Sequence, residues 1–269
     1  MCRKGYKKAD GCALVTGASS GIGREYALQL AAAGYDVILV SNREEENRQV
    51  ADEIARRCGV AAWPLYADLA EEGAAERIHA ATEARGWQVG VLVCNAGMLR
   101  FGLFTDENPA TIAALVTLHC TTPAQLCRLY GADMRARGRG RILVMSSATA
   151  WMPYPTIAAY AATKCFLRSF ARALRDELYD AGVRVTAVFP GAVDTPFYRL
   201  DAAWRRRLVR WGVMSTPREV AKKGLRALFR GRSHCIPGLF TKTCVFLCRL
   251  LPPAVIRAIL RLKAVQRLL

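Results

Sequence analysis

Acidic residues are scarce at one end of this chain. From Thr195 to Leu269 only Asp201 and Glu219 oppose 17 lysines and arginines, a balance of +15, whereas residues 1–194 carry 22 basic against 20 acidic side chains, a balance of +2. The overall charge of +17 is therefore not a property of the whole chain. A surface that attracts anions, whether nucleic acid, acidic ligands or an anionic membrane, belongs to the carboxyl-terminal quarter. Histidine is scarcer still, with His79, His119 and His234 alone. The ten cysteines are scattered without zinc or thioredoxin spacing, so they read as reduced, small apolar residues and no metal site is expected. No apolar stretch near the carboxyl terminus reaches the roughly 18 residues a membrane span needs, because Lys242 and Arg249 interrupt it. The basic amino terminus has no apolar region resembling a secretory signal, which gives a cytoplasmic expectation. No linker, low-complexity run or internal repeat divides the 269 residues, so one large domain is expected.

What is present is a regular alternation. Short, nearly continuous apolar runs at 12–17, 36–41, 61–69, 89–97, 140–147 and 183–191 have the character of buried parallel strands. Helical stretches at 22–33, 44–58, 71–86, 109–137 and 157–181 lie between them. Such alternation implies right-handed βαβ units, hence an α/β fold with a single doubly wound parallel sheet and helices on both faces. Ligands of these sheets bind beyond the carboxyl ends of the strands.

Two motifs at those ends carry chemistry. "VTGASSGIG" leads from the first predicted strand into the first helix and places Gly17, Gly21 and Gly23 beside Ser19, Ser20 and Ile22. Its glycines permit a tight turn and close approach of a phosphate to free N–H groups at the helix start, so a dinucleotide site is expected. The same letters fit the G-x-S-x-G elbow of serine hydrolases with Ser19 as nucleophile, but no histidine is suitably placed downstream to activate it. In "YAATK", Tyr160 and Lys164 share a helix face, where a cation beside a phenol makes a possible acid–base group.

With these pieces in order the chain resembles the short-chain dehydrogenase/reductase family over residues 12 to about 230. The likeness rests on "TGASSGIG" (16–23), "ADL" (67–69), "NAG" (95–97), Ser147 thirteen residues before Tyr160, "YAATK" (160–164) and "PGAVDT" (190–195). The resemblance implies a Rossmann-type fold in which Tyr160 exchanges a proton with the substrate oxygen. It implies that Lys164 lowers the phenol pKa and holds the ribose, and that Ser147 orients the carbonyl or alcohol. Asn95, Ala96 and Gly97 would line the adenosine side, Asp68 would accept from the adenine amine and Leu69 would offer its backbone. Pro190, Gly191, Val193 and Thr195 would shape the nicotinamide pocket, and Asp194 would be a solvated or capping residue. One departure stands out: "LHCTTP" places His119 where the family has an asparagine that bends its helix and lets a backbone carbonyl hold a relay water. His119 could serve through its backbone, act through its ring or be a tolerated helix residue. That departure motivates a competing reading, a catalytically silent dinucleotide-binding or regulatory protein.

At the end of the second strand the chain reads Ser41, Asn42, Arg43, with no acid before Glu44. Family members that use NADP often carry arginine where Asn42 stands. Without a carboxylate to repel a 2′-phosphate, and with Arg43 one place further on, NADP(H) is favoured over NAD(H). Trp151, Met152, Tyr154, Phe197, Trp204, Leu208, Trp211 and Met214 are bulky apolar candidates for a pocket that suits a lipophilic ketone or alcohol, nearest to the steroid and long-chain 3-oxoacyl reductase branch. The domain reading is a catalytic unit over 1–230 and a basic amphipathic extension over 231–269. Past Pro252 and Pro253, Val255, Ile259, Leu262, Val265 and Leu269 cluster opposite Arg257, Arg261, Lys263 and Arg267 on a helix at about 100° per residue. That pattern suits a peripheral contact with the inner face of a membrane, although it would equally cover the core or a second subunit. The basic residues are interleaved with aliphatic rather than stacking aromatic residues, so no nucleic-acid partner is expected. The family resemblance implies a homo-oligomer.

Overall fold

The computed structural model describes residues 11–151, 155–195, 201–250, 254, 255 and 258. The candidates Met152, Tyr154 and Phe197, and the amphipathic pattern from Ile259 to Leu269, lie outside the described residues.

Seven parallel strands form one sheet: β1 (Cys12–Thr16), β2 (Val37–Ser41), β3 (Ala62–Tyr66), β4 (Val89–Cys94), β5 (Gly140–Met145), β6 (Val183–Val188) and β7 (His234–Cys235). Their order is β3-β2-β1-β4-β5-β6-β7, so the winding reverses between β1 and β4. That switch point opens a crevice above the strand ends. The connecting helices are α1 (Gly21–Ala32), α2 (Glu44–Cys58), α3 (Ala74–Glu83), α4 (Pro109–Val116), α5 (Thr122–Ala136), α6 (Ala158–Leu178), α7 (Ala202–Arg210), α8 (Pro217–Phe229) and α9 (Leu239–Leu250).

The continuous apolar runs follow from burial on both faces. Leu14, Ile38 and Leu92 face one core, together with Ile78, Tyr130 and Leu167 from α3, α5 and α6. Their neighbours Val15, Leu39 and Val93 face the other, with Leu30, Ile54 and Leu225 from α1, α2 and α8. Each such aliphatic side chain contributes about 1.5–3 kcal/mol by leaving water. Except for β2, the strands end one to three residues before the apolar runs do, because the chain leaves the sheet to build the site.

One predicted helix is not uniform. Between α4 and α5 the chain widens into a π-helical turn over Thr117–Thr121, with His119 buried at its centre. Such turns are frequent at functional sites. Beyond residue 230 the chain adds β7, which pairs with β6 through Ala187–His234 and Val188–Cys235. Helix α9 then packs over the strand ends, close enough that a Cβ on Gly191 would stand 2.4 Å from Thr241 Oγ1.

Candidate active site

The turn after β1 is fixed by backbone geometry. Gly17 and Gly21 adopt φ of +66° and +55°, left-handed values that favour glycine. Gly23 is needed for room: a Cβ there would lie 2.0 Å from the Gly17 carbonyl oxygen and 2.6 Å from Asn95 Nδ2. Ser20 precedes α1 without a side-chain capping bond. The first-turn N–H groups therefore keep donor capacity for an anion. Across the switch point, the Thr16 hydroxyl accepts from the backbone N–H groups of Asn95 (2.9 Å) and Ala96 (3.0 Å), while Asn95 Nδ2 donates to the Thr16 carbonyl (3.1 Å). Asn95 thus clamps β1 to β4 as well as lining the crevice.

At the end of β2, Ser41 Oγ donates to Ser19 Oγ at 2.9 Å and accepts from Arg43 N–H at 3.1 Å. Asn42 donates to Asp68 Oδ2 (3.3 Å), and Asp68 Oδ1 accepts from Ala70 N–H (2.9 Å). Asn42 and Arg43 are exposed. Among the described residues no carboxylate pairs with Arg43.

At the other end of the crevice, Ser147 follows β5 while Tyr160 and Lys164 project from α6. Lys164, 4% exposed, donates to the Met145 carbonyl at 3.2 Å, with its ammonium 5.4 Å from the centre of the Tyr160 ring. Here the electrostatics differ from the sequence expectation. Burial pushes the Tyr160 phenol up to about 12, a hydrogen bond with Ser147 only partly offsetting it. Burial also brings Lys164 down to about 8. The ammonium stands over the ring rather than on the phenolic oxygen, so desolvation outweighs its pull on the proton. At neutral pH the phenol is a protonated donor.

One cavity of about 910 Å³ joins the two ends. It is bordered by Gly17, Ser19, Ser20, Gly21, Ile22, Asn42, Arg43, Asp68, Leu69, Asn95, Ala96, Gly97, Ser147, Tyr160, Lys164, Pro190, Gly191, Val193 and Thr195. Of the predicted catalytic and cofactor-binding residues, Gly23, in the packing of α1, and His119 stand behind its wall. The hydrolase alternative has no support, because each histidine is engaged away from Ser19. His79 bonds Asp133 (2.9 Å), His119 bonds Met98 and Thr163 (3.0 Å each), and His234 bonds Ser233 (3.0 Å). Asp194 pairs with Arg205 at 3.3 Å.

A family model described as short chain dehydrogenase matches residues 11–206 of this chain. The chain belongs to that family. This short-chain dehydrogenase is 31% identical over 225 residues to 17-beta-hydroxysteroid dehydrogenase type 3 of Rattus norvegicus, an alignment covering 83% of this chain and 71% of that one. It is 33% identical over 192 residues to the very-long-chain 3-oxoacyl-CoA reductase of Bos taurus, covering 70% of this chain but only 61% of that one. A solved short-chain dehydrogenase from Sphingobium yanoikuyae in complex with NADPH superposes with a TM-score of 0.78 at 26% identity, covering 94% of this chain and 96% of that one.

The apolar end of the cavity departs furthest from the sequence expectation. Leu208 and Met214 line it as expected, but Trp204 and Trp211 do not and are 46% and 63% exposed. Trp151 turns into the core against Phe189, with the Arg168 guanidinium over its ring. Met98, Phe101 and Val213 take their places, joined by Phe240, Thr241 and Cys244 of α9. The apolar "MLRF" directly after "NAG" was the available signal for the first two. The α9 residues gave none, since only the fold brings them over the strand ends. Among the described residues no cluster of metal-ligating side chains occurs and no helix is long and apolar enough to cross a membrane.

Proposed function

We propose that this short-chain dehydrogenase interconverts a ketone and a secondary alcohol on a lipophilic substrate of steroid or long-chain 3-oxoacyl type, using NADP(H). The observation that carries the reading is the continuity of the cavity. The cavity has a glycine-turned, N–H-rich end, a Ser147–Tyr160–Lys164 cluster, and beyond it apolar walls from Phe101, Met214 and Phe240. A dinucleotide fits the first part on the chain's own terms: Gly17 and Gly21 border the cavity without side chains of their own, and the start of α1 has no side-chain cap. Gly17 to Ile22 would hold the phosphates, Asp68 and Leu69 the adenine, Lys164 the ribose, and Pro190 to Thr195 the nicotinamide. A nicotinamide cofactor, when bound, supplies or accepts a hydride. Tyr160 gives its phenolic proton to the substrate oxygen as that oxygen gains charge, and takes it back in the reverse direction. Ser147 holds the same oxygen and fixes the phenol. The lipophilic class is supported by the apolar walls and by the two relatives whose names specify a steroid and a very-long-chain acyl substrate. A screen of ketosteroids and long-chain 3-oxoacyl thioesters with NADPH and NADH tests the reading. Cofactor bound but never oxidised would favour the catalytically silent alternative.

Arg43 is expected to select the cofactor. Arg43→Ala should weaken NADPH binding roughly ten- to a hundredfold, the loss of one charge-assisted hydrogen bond of about 1.5–3 kcal/mol, and leave NADH binding nearly unchanged. Fluorescence titration with both cofactors checks this, and equal losses would remove Arg43 from the 2′-phosphate site.

The carboxyl-terminal part is proposed to rest on an anionic membrane. Helix α9 exposes Leu239 (81%), Phe246 (64%) and Leu247 (48%). Residues 201–250 hold twelve lysines and arginines against Asp201 and Glu219. Each cation near an anionic surface contributes about 1 kcal/mol. Co-sedimentation with phosphatidylserine vesicles should be strong, weaken with salt and fall when residues 252–269 are deleted. Unfolding or subunit dissociation on deletion, with lipid binding unchanged, would assign the segment to packing.

A further inference from the structure

His119 sits at the centre of the π-helical turn, wholly buried and outside the cavity wall. Both of its ring nitrogens are engaged, and their roles follow from the partners. The backbone N–H of Met98 can only donate, and it lies 3.0 Å from Nε2, so Nε2 is the acceptor. Nδ1 therefore carries the proton and faces Thr163 Oγ1 at 3.0 Å. The Thr163 hydroxyl is free to accept, because its own hydrogen goes to the Tyr160 carbonyl at 2.7 Å. The result is a continuous chain in which both imidazole nitrogens and the Thr163 hydroxyl are engaged. It runs from Met98 N–H to His119, from His119 to Thr163, and from Thr163 to the main chain of Tyr160.

We propose that His119, acting through its ring and with Thr163 as intermediary, is a positioning residue that locks Tyr160 to the loop after β4, and that it transfers no proton. Three further observations agree. The His119 ring meets the Tyr160 ring edge-on with centroids 5.6 Å apart, bracing the phenol directly. Gly97 explains itself as clearance for this ring, since a Cβ there would lie 2.9 Å from Nε2. Burial, and then the nearby Lys164 ammonium, hold the imidazole pKa well below its usual value, so the neutral ring persists. The groups around it are Tyr160 and Lys164 on α6 and Cys120 on its own turn, and none is a carboxylate that would stabilise imidazolium. Thr163 is the new element, because neither the glycine turn nor "YAATK" marks it as more than a spacer.

The inference rests on the ketone–alcohol reading for its kinetic part, and the test separates the two. His119→Phe keeps an aromatic ring without nitrogen, and Thr163→Val keeps shape without hydroxyl. Each should lower kcat roughly ten- to a hundredfold, the effect of a misplaced reacting group, while NADPH affinity and the KM for the ketone stay within about twofold. His119→Gln presents an amide oxygen to Met98 and an amide N–H to Thr163, and should recover most of that loss. A proton-relay role predicts instead that Gln is as damaged as Phe. Nitrogen-15 spectra of the full chain, simplified by its three histidines, read the linkage without turnover. Nδ1 of His119 should be protonated and Nε2 not, with no titration from pH 6 to 9, and Thr163→Val should shift Nδ1. Observed titration, the opposite tautomer or an undiminished kcat in Thr163→Val would each overturn the proposal. A chain that turns over no ketone but shows the expected spectra would sink the functional reading and leave the linkage standing.

Discussion

Tyr160→Phe is expected to reduce kcat by roughly 10²- to 10⁴-fold, the usual contribution of a positioned acid–base group. The loss should fall on kcat and kcat/KM together, because the phenolic proton is needed only as charge develops on the substrate oxygen. Cofactor binding should hardly change, since the variant keeps the ring and Lys164 still lies over it. The prediction is sharpened by the pKa directions. A phenol raised to about 12 is protonated through pH 6–9, and the Ser147 hydrogen bond offsets only part of that rise. Steady-state kinetics of the variant, with NADPH binding measured in parallel, decides the matter. Near-normal turnover would take Tyr160 out of the chemistry.

Gly23→Ala should damage both the fold and the cofactor site. The added carbon would stand 2.0 Å from the Gly17 carbonyl oxygen, which is backbone and cannot swing away, and 2.6 Å from the Asn95 amide that clamps β1 to β4. Overpacking of this kind costs about 1–3 kcal/mol, and here at the upper end. A drop in Tm of roughly 5–10 °C is expected for a chain of this size, with NADPH affinity lost at the same time because the turn itself is displaced. Gly102→Ala is the control: nothing lies within 4 Å of the added carbon. Equal melting temperatures and affinities for the two variants would contradict the account of the turn.

These two positions also mark how far the sequence could be read. The glycine turn was legible as a motif, but Gly23 was read as a cofactor contact and instead packs α1 against the Gly17 carbonyl and Asn95, behind the cavity wall. The strands were legible, since a sheet covered on both faces demands unbroken apolar runs such as "VGVLVC". The direction of the Tyr160 and Lys164 shifts was not legible. Spacing places the two on one helix face, but the balance between desolvation and attraction depends on how the walls close, which no pair of letters encodes. Strand β7 escaped notice because two residues, one a histidine, make no apolar run. Its pairing is imposed by the exposed edge of β6. Helix α9 is the same case on a larger scale. Its residues look like the start of a basic extension, yet Thr241 is buried against Gly191 and Phe240 lines the cavity. Trp204 on α7 and Trp211 just past its end show the converse, bulky apolar letters suggesting a pocket wall where the fold turns them outward.

On the proposed reading, the Ser147–Tyr160–Lys164 end of the cavity reduces a lipophilic ketone with hydride from NADPH. The most direct measurement uses NADPH deuterated at the nicotinamide C4, incubated with the full chain and a panel of ketosteroids and long-chain 3-oxoacyl thioesters, with products read by mass spectrometry. The account predicts an alcohol product carrying one deuterium on its carbinol carbon, formed by the native chain and essentially absent with Tyr160→Phe. Tight NADPH binding with no labelled alcohol from any member of the panel, or equal labelling by the native chain and Tyr160→Phe, would contradict it.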